Sequence, residues 1–235
     1  MAAKKKLVVL TGAGVSAESG LDTFRDSGGL WGKYDPQVVA SIDGWYANKG
    51  LMLDFYNNLR KELEQKKPNK AHLLIASLED KFDVTVITQN VDNLHERAGS
   101  SKIIHLHGEL TKVRPETGEY DKSYSEKEVI DIGYGSIYIG DEAPNGHQLR
   151  PHIVWFGESV PKIEPAIEAV EKADILLIVG TSLQVYPAAG LYRYADPRIP
   201  IYIIDPQELQ VRDPRLQHIK EVASSGMETF IKKIL

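Results

Sequence analysis

The sequence predicts an α/β fold built on a mostly parallel, doubly wound sheet. Short apolar, β-branched runs recur at residues 7–10 (LVVL), 84–88 (VTVIT), 152–156 (HIVWF), 175–180 (ILLIVG) and 199–205 (IPIYIID), the composition of strands buried on both faces. Helical patterns lie between them, and strand alternating with helix implies a parallel sheet covered on both sides. Two segments, at about 26–68 and 111–150, break the alternation and read together as a smaller inserted lobe.

Taken in order, LVVL opens the sheet. Helical patterns follow at residues 51–65 and 69–80, the second with Asn69 as N-cap, and VTVIT is the next strand. HIVWF, a helix over residues 164–174, ILLIVG and IPIYIID complete the pattern. The run at residues 134–139 is expected to add a strand and a small apolar core to the lobe. These boundaries describe one catalytic unit, with a large domain at about 1–26, 69–110 and 151–235 and a small lobe at about 27–68 and 111–150.

A chain of 235 residues, 42% hydrophobic, can bury such a core. Its formal charge of -5 argues against a general polyanion binder, so no nucleic-acid partner is expected, and Lys4, Lys5 and Lys6 read as solvated charge. No apolar stretch approaches the roughly 20 residues of a membrane span, and the N-terminus lacks the apolar core of a secretion signal. A cytoplasmic protein with no membrane partner is the expectation. Zero cysteines exclude disulfides, thiol catalysis and every cysteine-based zinc site.

Directly after LVVL, Gly12, Gly14 and Ala17 match the G-x-G-x-x-[GA] pattern, in which glycine lets backbone approach phosphate at a helix start. A tight strand-to-helix turn without a ligand has the same pattern. The dinucleotide fingerprint also wants an acidic residue closing a second strand about 20 residues on. Here the chain continues instead as DTFRDSGGLW, which brings Phe24, Arg25 and Trp31 beside the expected phosphate site.

VTVIT runs into Gln89, Asn90, Val91, Asp92 and Asn93, where an open α/β sheet places its ligand crevice. These donors and acceptors suit a ribose and a carboxamide, although any one of them alone reads as a helix cap. In the following IIHLHGE, His105 and His107 share a face if the strand alternates. His107, at the strand end, is the candidate general base, with an unperturbed pKa of about 6.5. His105 reads as structural, as do His72, His95 and His218. No acid or third histidine shows ligand spacing with the pair, so no metal is expected.

Five blocks, GAGVSAESGLDTFRDSGGLW, TQNVDNLHERAG, HLHGEL, LRPHIVWFGE and VGTSLQVYPAAG, together resemble the sirtuins, NAD-dependent protein lysine deacylases. The resemblance implies a Rossmann-like large domain and a small lobe with NAD between them, and products of nicotinamide, O-acyl-ADP-ribose and free lysine. It implies that Gly12, Ala13, Gly14, Ser16 and Ala17 hold the NAD phosphates, and that Phe24, Arg25 and Trp31 cover the reacting ribose. Gln89, Asn90 and Asp92 then bind the ribose and carboxamide, with Gln89 and Asn90 beside His107 in the catalytic set. Gly180, Thr181, Ser182, Asp205 and Met227 are assigned to the adenosine half, although the family more often carries Asn at the place of Asp205. Val154, Phe156, Gly157 and Glu158 are assigned to the acyl-lysine substrate, a protein or peptide paired in part through main chain.

The chain departs from that family in two further places. The two Cys-x-x-Cys pairs that hold structural zinc in most members are missing near residues 115–118 and 142–145, so a lobe lacking structural zinc is expected. Members that remove acidic acyl groups carry Tyr-x-x-Arg. Here Tyr56 is followed by Arg60, one position late and so rotated about 100° on a helix. Both are carried as substrate-side candidates, with deacetylation and a broader acyl range expected. Mono-ADP-ribosyl transfer and an NAD sensor without turnover are the competing readings.

Overall fold

A computed structural model describes residues 3–21, 33–116, 125–208 and 213–235. Its larger sheet has six parallel strands in the order β3-β2-β1-β7-β8-β9, formed by β1 (Lys6–Thr11), β2 (Asp83–Thr88), β3 (Ile103–His105), β7 (Ile175–Val179), β8 (Ile201–Ile204) and β9 (Leu216–Ile219). Strand alternation divides its side chains between two cores. Leu7 and Val9 of β1 face one side, packed with Ile75 and Phe230, while Val8 and Leu10 face the other, packed with Ala166 and Leu191. Helices α5 (Lys70–Ser77) and α8 (Ala223–Ile234) cover the first face; α7 (Ile163–Glu171) and a 3-10 segment over Ala188–Tyr194 cover the second. Each fully buried Leu, Val or Ile contributes about 1.5–3 kcal/mol, so both faces must be covered.

The expected α/β fold is therefore present, and the predicted helix starting after Asn69 is capped by it: the Asn69 side chain accepts from Ala71 N at 2.9 Å. Strand β9 was not anticipated. Its sequence LQHI buries only Ile219 fully at the sheet edge, which leaves no apolar run to detect.

Two expectations are corrected. HIVWF is not a strand of the large sheet. Its first residues end β6 (Leu149–Ile153), which pairs antiparallel with β4 (Gly108–Pro115) in a second sheet of order β5-β4-β6, with β5 at Ile130–Asp131. Burial made the run apolar: Trp155, 2% exposed, packs 5.4 Å from Trp45 and beneath Leu110 and Val113 in a third core. Residues 134–139 form no strand. Only Ile137 is deeply buried there, and it is held by Asn57, whose Nδ2 donates to Ile137 O at 2.9 Å and whose Oδ1 accepts from Ile137 N at 3.0 Å.

The same third core takes the inner face of helix α4 (Lys49–Gln65), which buries Met52, Phe55, Tyr56, Leu59 and Leu63. Short helices α1 (Gly14–Ala17), α2 (Pro36–Val39), α3 (Ile42–Ala47) and α6 (Leu94–Ala98) complete the described elements, with brief 3-10 turns beside them. Among the described residues no helix is long and apolar enough to cross a membrane.

Candidate active site

In the large sheet β1 connects onward to β2 on one side, while β7 lies on its other side. The chain ends of β1 and β7 thus flank the switch point where such sheets bind ligands. The loops after β1, β2 and β7 meet there. Gly12 N donates to Val179 O at 3.1 Å and Gly14 N to Gly180 O at 2.9 Å. A Cβ on Gly14 would lie 2.7 Å from Gly180 Cα, and one on Gly12 2.7 Å from Thr181 Cβ. The glycines are thus required for loop-on-loop packing. Gly180 itself has φ 62°, where a side chain is strained.

The polar burst after β2 is tied into this junction. Gln89 Nε2 donates to Thr181 Oγ1 at 3.0 Å. Asn90 Nδ2 donates to Gly12 O at 3.2 Å and to Ser16 Oγ at 3.1 Å, and Ser16 Oγ donates to Asp92 Oδ2 at 2.9 Å. Asp92 also accepts from Leu94 N at 3.0 Å, a cap-like bond at the start of α6. Burial pushes the Asp92 carboxyl up against the opposing pull of Leu94 N, Ser16 and the nearby His105.

His107 sits between β3 and β4, so it is outside both strands. Its Nδ1 lies 3.0 Å from Gln89 O. A carbonyl only accepts, so Nδ1 carries the proton and Nε2 is the basic nitrogen. Burial lowers its pKa from the ordinary histidine value, more than the Gln89 carbonyl raises it. His95, buried and bonded to Thr11 Oγ1 at 3.0 Å, and His72, which receives Asn69 N at 3.3 Å, are structural as expected.

The described residues enclose a cavity of about 730 Å³ at this junction. It is lined by Gly12, Ala13, Gly14, Ser16, Ala17, Gln89, Asn90, Asp92 and His107, by Gly180, Thr181, Ser182 and Asp205, and by Tyr56, Val154, Phe156, Gly157 and Glu158. Such a volume with convergent polar groups on an apolar wall fits a dinucleotide. Tyr186, Pro187, Gln207 and Val222 also line it; the first two fall in the quoted VYPAAG block, whereas the others carry no sequence signal.

Met227 and Arg60 do not line it. Met227 is fully buried in the core beneath Ile204 and Phe230, because the amphipathic helix α8 turns that residue toward the sheet. The Arg60 guanidinium is buried within the small lobe, with Nε donating to Leu110 O at 2.7 Å and Nη1 to Asn57 Oδ1 at 2.8 Å. Burial lowers its pKa to about 10. The position that does face the cavity on this turn is Leu59. Tyr56 is also buried, its hydroxyl accepting from Trp155 Nε1 at 2.7 Å. Phe24, Arg25 and Trp31 lie outside the described residues.

Among the described residues, Glu96, His105 and Glu109 have side-chain N and O atoms within 4.8 Å of one another. They already have partners, His105 Nε2 at 2.6 Å from Glu96 Oε1 and Glu109 at 2.8 Å from Lys112.

The Sir2 family model matches residues 12–187, the span that carries these three loops, His107 and most of the cavity wall. The chain belongs to the Sir2 family. It is 54% identical to an NAD-dependent protein deacylase of Bacteroides thetaiotaomicron over 98% of each chain, and 49% identical to one of Helicobacter pylori over 98% of this chain and 96% of that protein. It also superposes on a crystal structure of a Sir2 homologue in complex with NAD, with TM-score 0.84 and 36% identity over 98% of this chain and 89% of that one. The Rossmann-like sheet and the small second sheet are thus those of a Sir2 fold.

Proposed function

We propose that this chain is an NAD-dependent protein deacylase that frees lysine from acyl-lysine proteins or peptides, yielding nicotinamide and O-acyl-ADP-ribose. The observation that carries the reading is the state of His107 in the cavity: Nδ1 tied to Gln89 O, and burial keeping the ring neutral near pH 7. A residue needed only to bind NAD has no use for a free basic nitrogen.

NAD, when bound, supplies a ribosyl–nicotinamide bond whose scission makes the ribose carbon electrophilic. The residues of the chain bind, orient and exclude water. The loop containing Gly12, Ala13, Gly14, Ser16 and Ala17, with Gly180, Thr181, Ser182 and Asp205, is assigned to the dinucleotide. Asn90 and Asp92, linked through Ser16, are assigned to the ribose and carboxamide, and Gln89 to joining the strand-end loops. His107 Nε2 takes the proton of a ribose hydroxyl.

Val154, Phe156, Gly157 and Glu158 form the acyl-lysine side. Phe156 N donates to Ala40 O at 2.8 Å and Phe156 O accepts from Ile42 N at 3.0 Å, which fixes the backbone of this segment beside the cavity. With Leu59 on the cavity wall and Arg60 turned inward, an acidic acyl group has no guanidinium at this turn. Deacetylation and removal of other uncharged acyl groups follow. A zinc-free small lobe and a cytoplasmic setting both accord with a sequence of no cysteines.

Incubation with NAD and an acetyl-lysine peptide tests the reading: deacetylated peptide and nicotinamide should appear in equal amounts. Label transfer to protein without deacylation would favour ADP-ribosyl transfer, and NAD binding without nicotinamide release would favour a sensor. His107→Ala should bind NAD but lose about 100- to 10,000-fold in deacylation; full activity in that variant would remove His107 from its role.

A further inference from the structure

Beyond Thr88 the pairing of β2 with β3 ends, because β3 stops at His105. The carbonyls of the next residues nevertheless stay engaged. Thr88 O accepts from Leu106 N at 2.9 Å and Val91 O from Leu110 N at 2.8 Å. Between them, Gln89 O takes the His107 ring at 3.0 Å and Asn90 O takes the His105 ring at 3.2 Å, each through Nδ1. Two imidazoles stand where a continuing strand would have supplied backbone N–H groups.

The rings differ at their second nitrogen. Among the described residues that of His107 has no protein partner, whereas His105 Nε2 lies 2.6 Å from Glu96 Oε1. A carbonyl and a carboxylate only accept, so His105 satisfies both by donating from both nitrogens. The His105 side chain is 8% exposed, so the ring has little freedom to seek water instead.

We propose that Glu96 holds His105 as an imidazolium whose Nδ1–H fixes the Asn90 peptide, which makes His105 a positioning residue for the NAD side of the site. The inference rests on the deacylase reading for its kinetic consequence, but its structural content is independent of it. Burial alone would lower the His105 pKa. The Glu96 bond and charge outweigh it, aided by Glu109 and the Asn90 carbonyl, and the net shift is upward. Burial would likewise raise Glu96, and the His105 bond and charge reverse this, leaving it lowered. Lys112, held by Glu109, buried Asp92 and neutral His95 are the other titratable groups facing the pair. The Asn90 side chain reaches Gly12 O and Ser16 Oγ, so a shift of its peptide is transmitted directly to the phosphate-loop side of the cavity.

Two substitutions separate the ring's two bonds. His105→Asn retains an amide donor near the Nδ1 position, toward Asn90 O. His105→Gln reaches toward Glu96 and abandons Asn90. With acetyl-lysine peptide saturating, the Asn variant should keep kcat/KM for NAD within about threefold of wild type, and the Gln variant should lose about tenfold, the scale of one hydrogen bond. Peptide KM should change less than twofold in either. Nitrogen-15 NMR of the imidazoles should show His105 doubly protonated at pH 7 in the wild type and neutral in Glu96→Gln. Equal kinetics for the Asn and Gln variants, activity that merely follows Tm, or a neutral His105 at pH 7 would each overturn the proposal. A wild-type protein without deacylation would instead sink the deacylase reading, and the NMR experiment would still decide the protonation of His105.

Discussion

Glu158, assigned to the substrate, sits where its removal should be felt first as instability. Its carboxylate accepts from Arg150 Nη1 at 2.7 Å, Arg150 Nη2 at 2.9 Å, Trp155 N at 2.9 Å and Arg114 Nη2 at 3.4 Å. The Arg150 side chain is 2% exposed, so Glu158→Ala leaves its buried guanidinium without this carboxylate. Breaking a buried pair in this way costs about 3–5 kcal/mol. Arg150 keeps its bond to Ile153 O at 3.0 Å and its stack 3.6 Å over the Trp155 ring, which favours the lower end, about 3 kcal/mol. That is a large part of a typical total of about 5–15 kcal/mol. Urea unfolding should show a lower midpoint at unchanged slope. Because residues 154–157 form the cavity wall beside it, peptide KM should rise as well. A paired Arg150→Met, Glu158→Leu exchange should recover about half of the lost stability, since an apolar replacement removes the stranded charge. A loss below about 1 kcal/mol for Glu158→Ala would refute the buried-pair account and return Glu158 to a surface role.

Three other outcomes follow from the geometry. Gly14→Ala must push the loops after β1 and β7 apart, because the new Cβ would meet Gly180 Cα at 2.7 Å; a loss of about 1–3 kcal/mol and weaker NAD binding by calorimetry are expected. His72 and His152 are both lowered by burial from 6.5 to about 4, His152 with further help from the Arg114 charge. The unfolded chain therefore binds their protons first, so their contribution is full above about pH 6.5 and is lost toward pH 4, at about 1.4 kcal/mol per pH unit for each. Tm measured across that window should fall and should fall less in His152→Gln. Elemental analysis should find no stoichiometric zinc, and chelation should leave Tm unchanged; one zinc per chain would overturn the zinc-free lobe.

Much of the fold was legible because β1, β2, β7 and β8 bury most of their residues and therefore read as largely apolar, β-branched runs. The same logic misassigned HIVWF. A segment buried between Trp45 and the antiparallel sheet is as apolar as one buried in a parallel sheet, and burial alone does not report which sheet supplies the partner. Arg60 failed for a related reason: a guanidinium reads as solvated or ligand-facing, and only the carbonyl of Leu110 and the amide of Asn57, brought over it by the lobe, let it be buried.

The site divides along the same line. The order of loop, polar burst, histidine and second glycine loop is written in the chain, since each must follow a strand for the crevice to form. The choice of His107 over His105 as candidate base is legible too, from its place at the strand end before Gly108, but the protonation of the two rings is not. Tertiary structure sets that difference by placing Glu96, on α6, against His105 Nε2, while His107 Nε2 has no protein partner among the described residues. A carboxylate 2.6 Å away holds one ring charged, and burial holds the other neutral. The protonation of each ring is set by neighbours that strand spacing cannot specify.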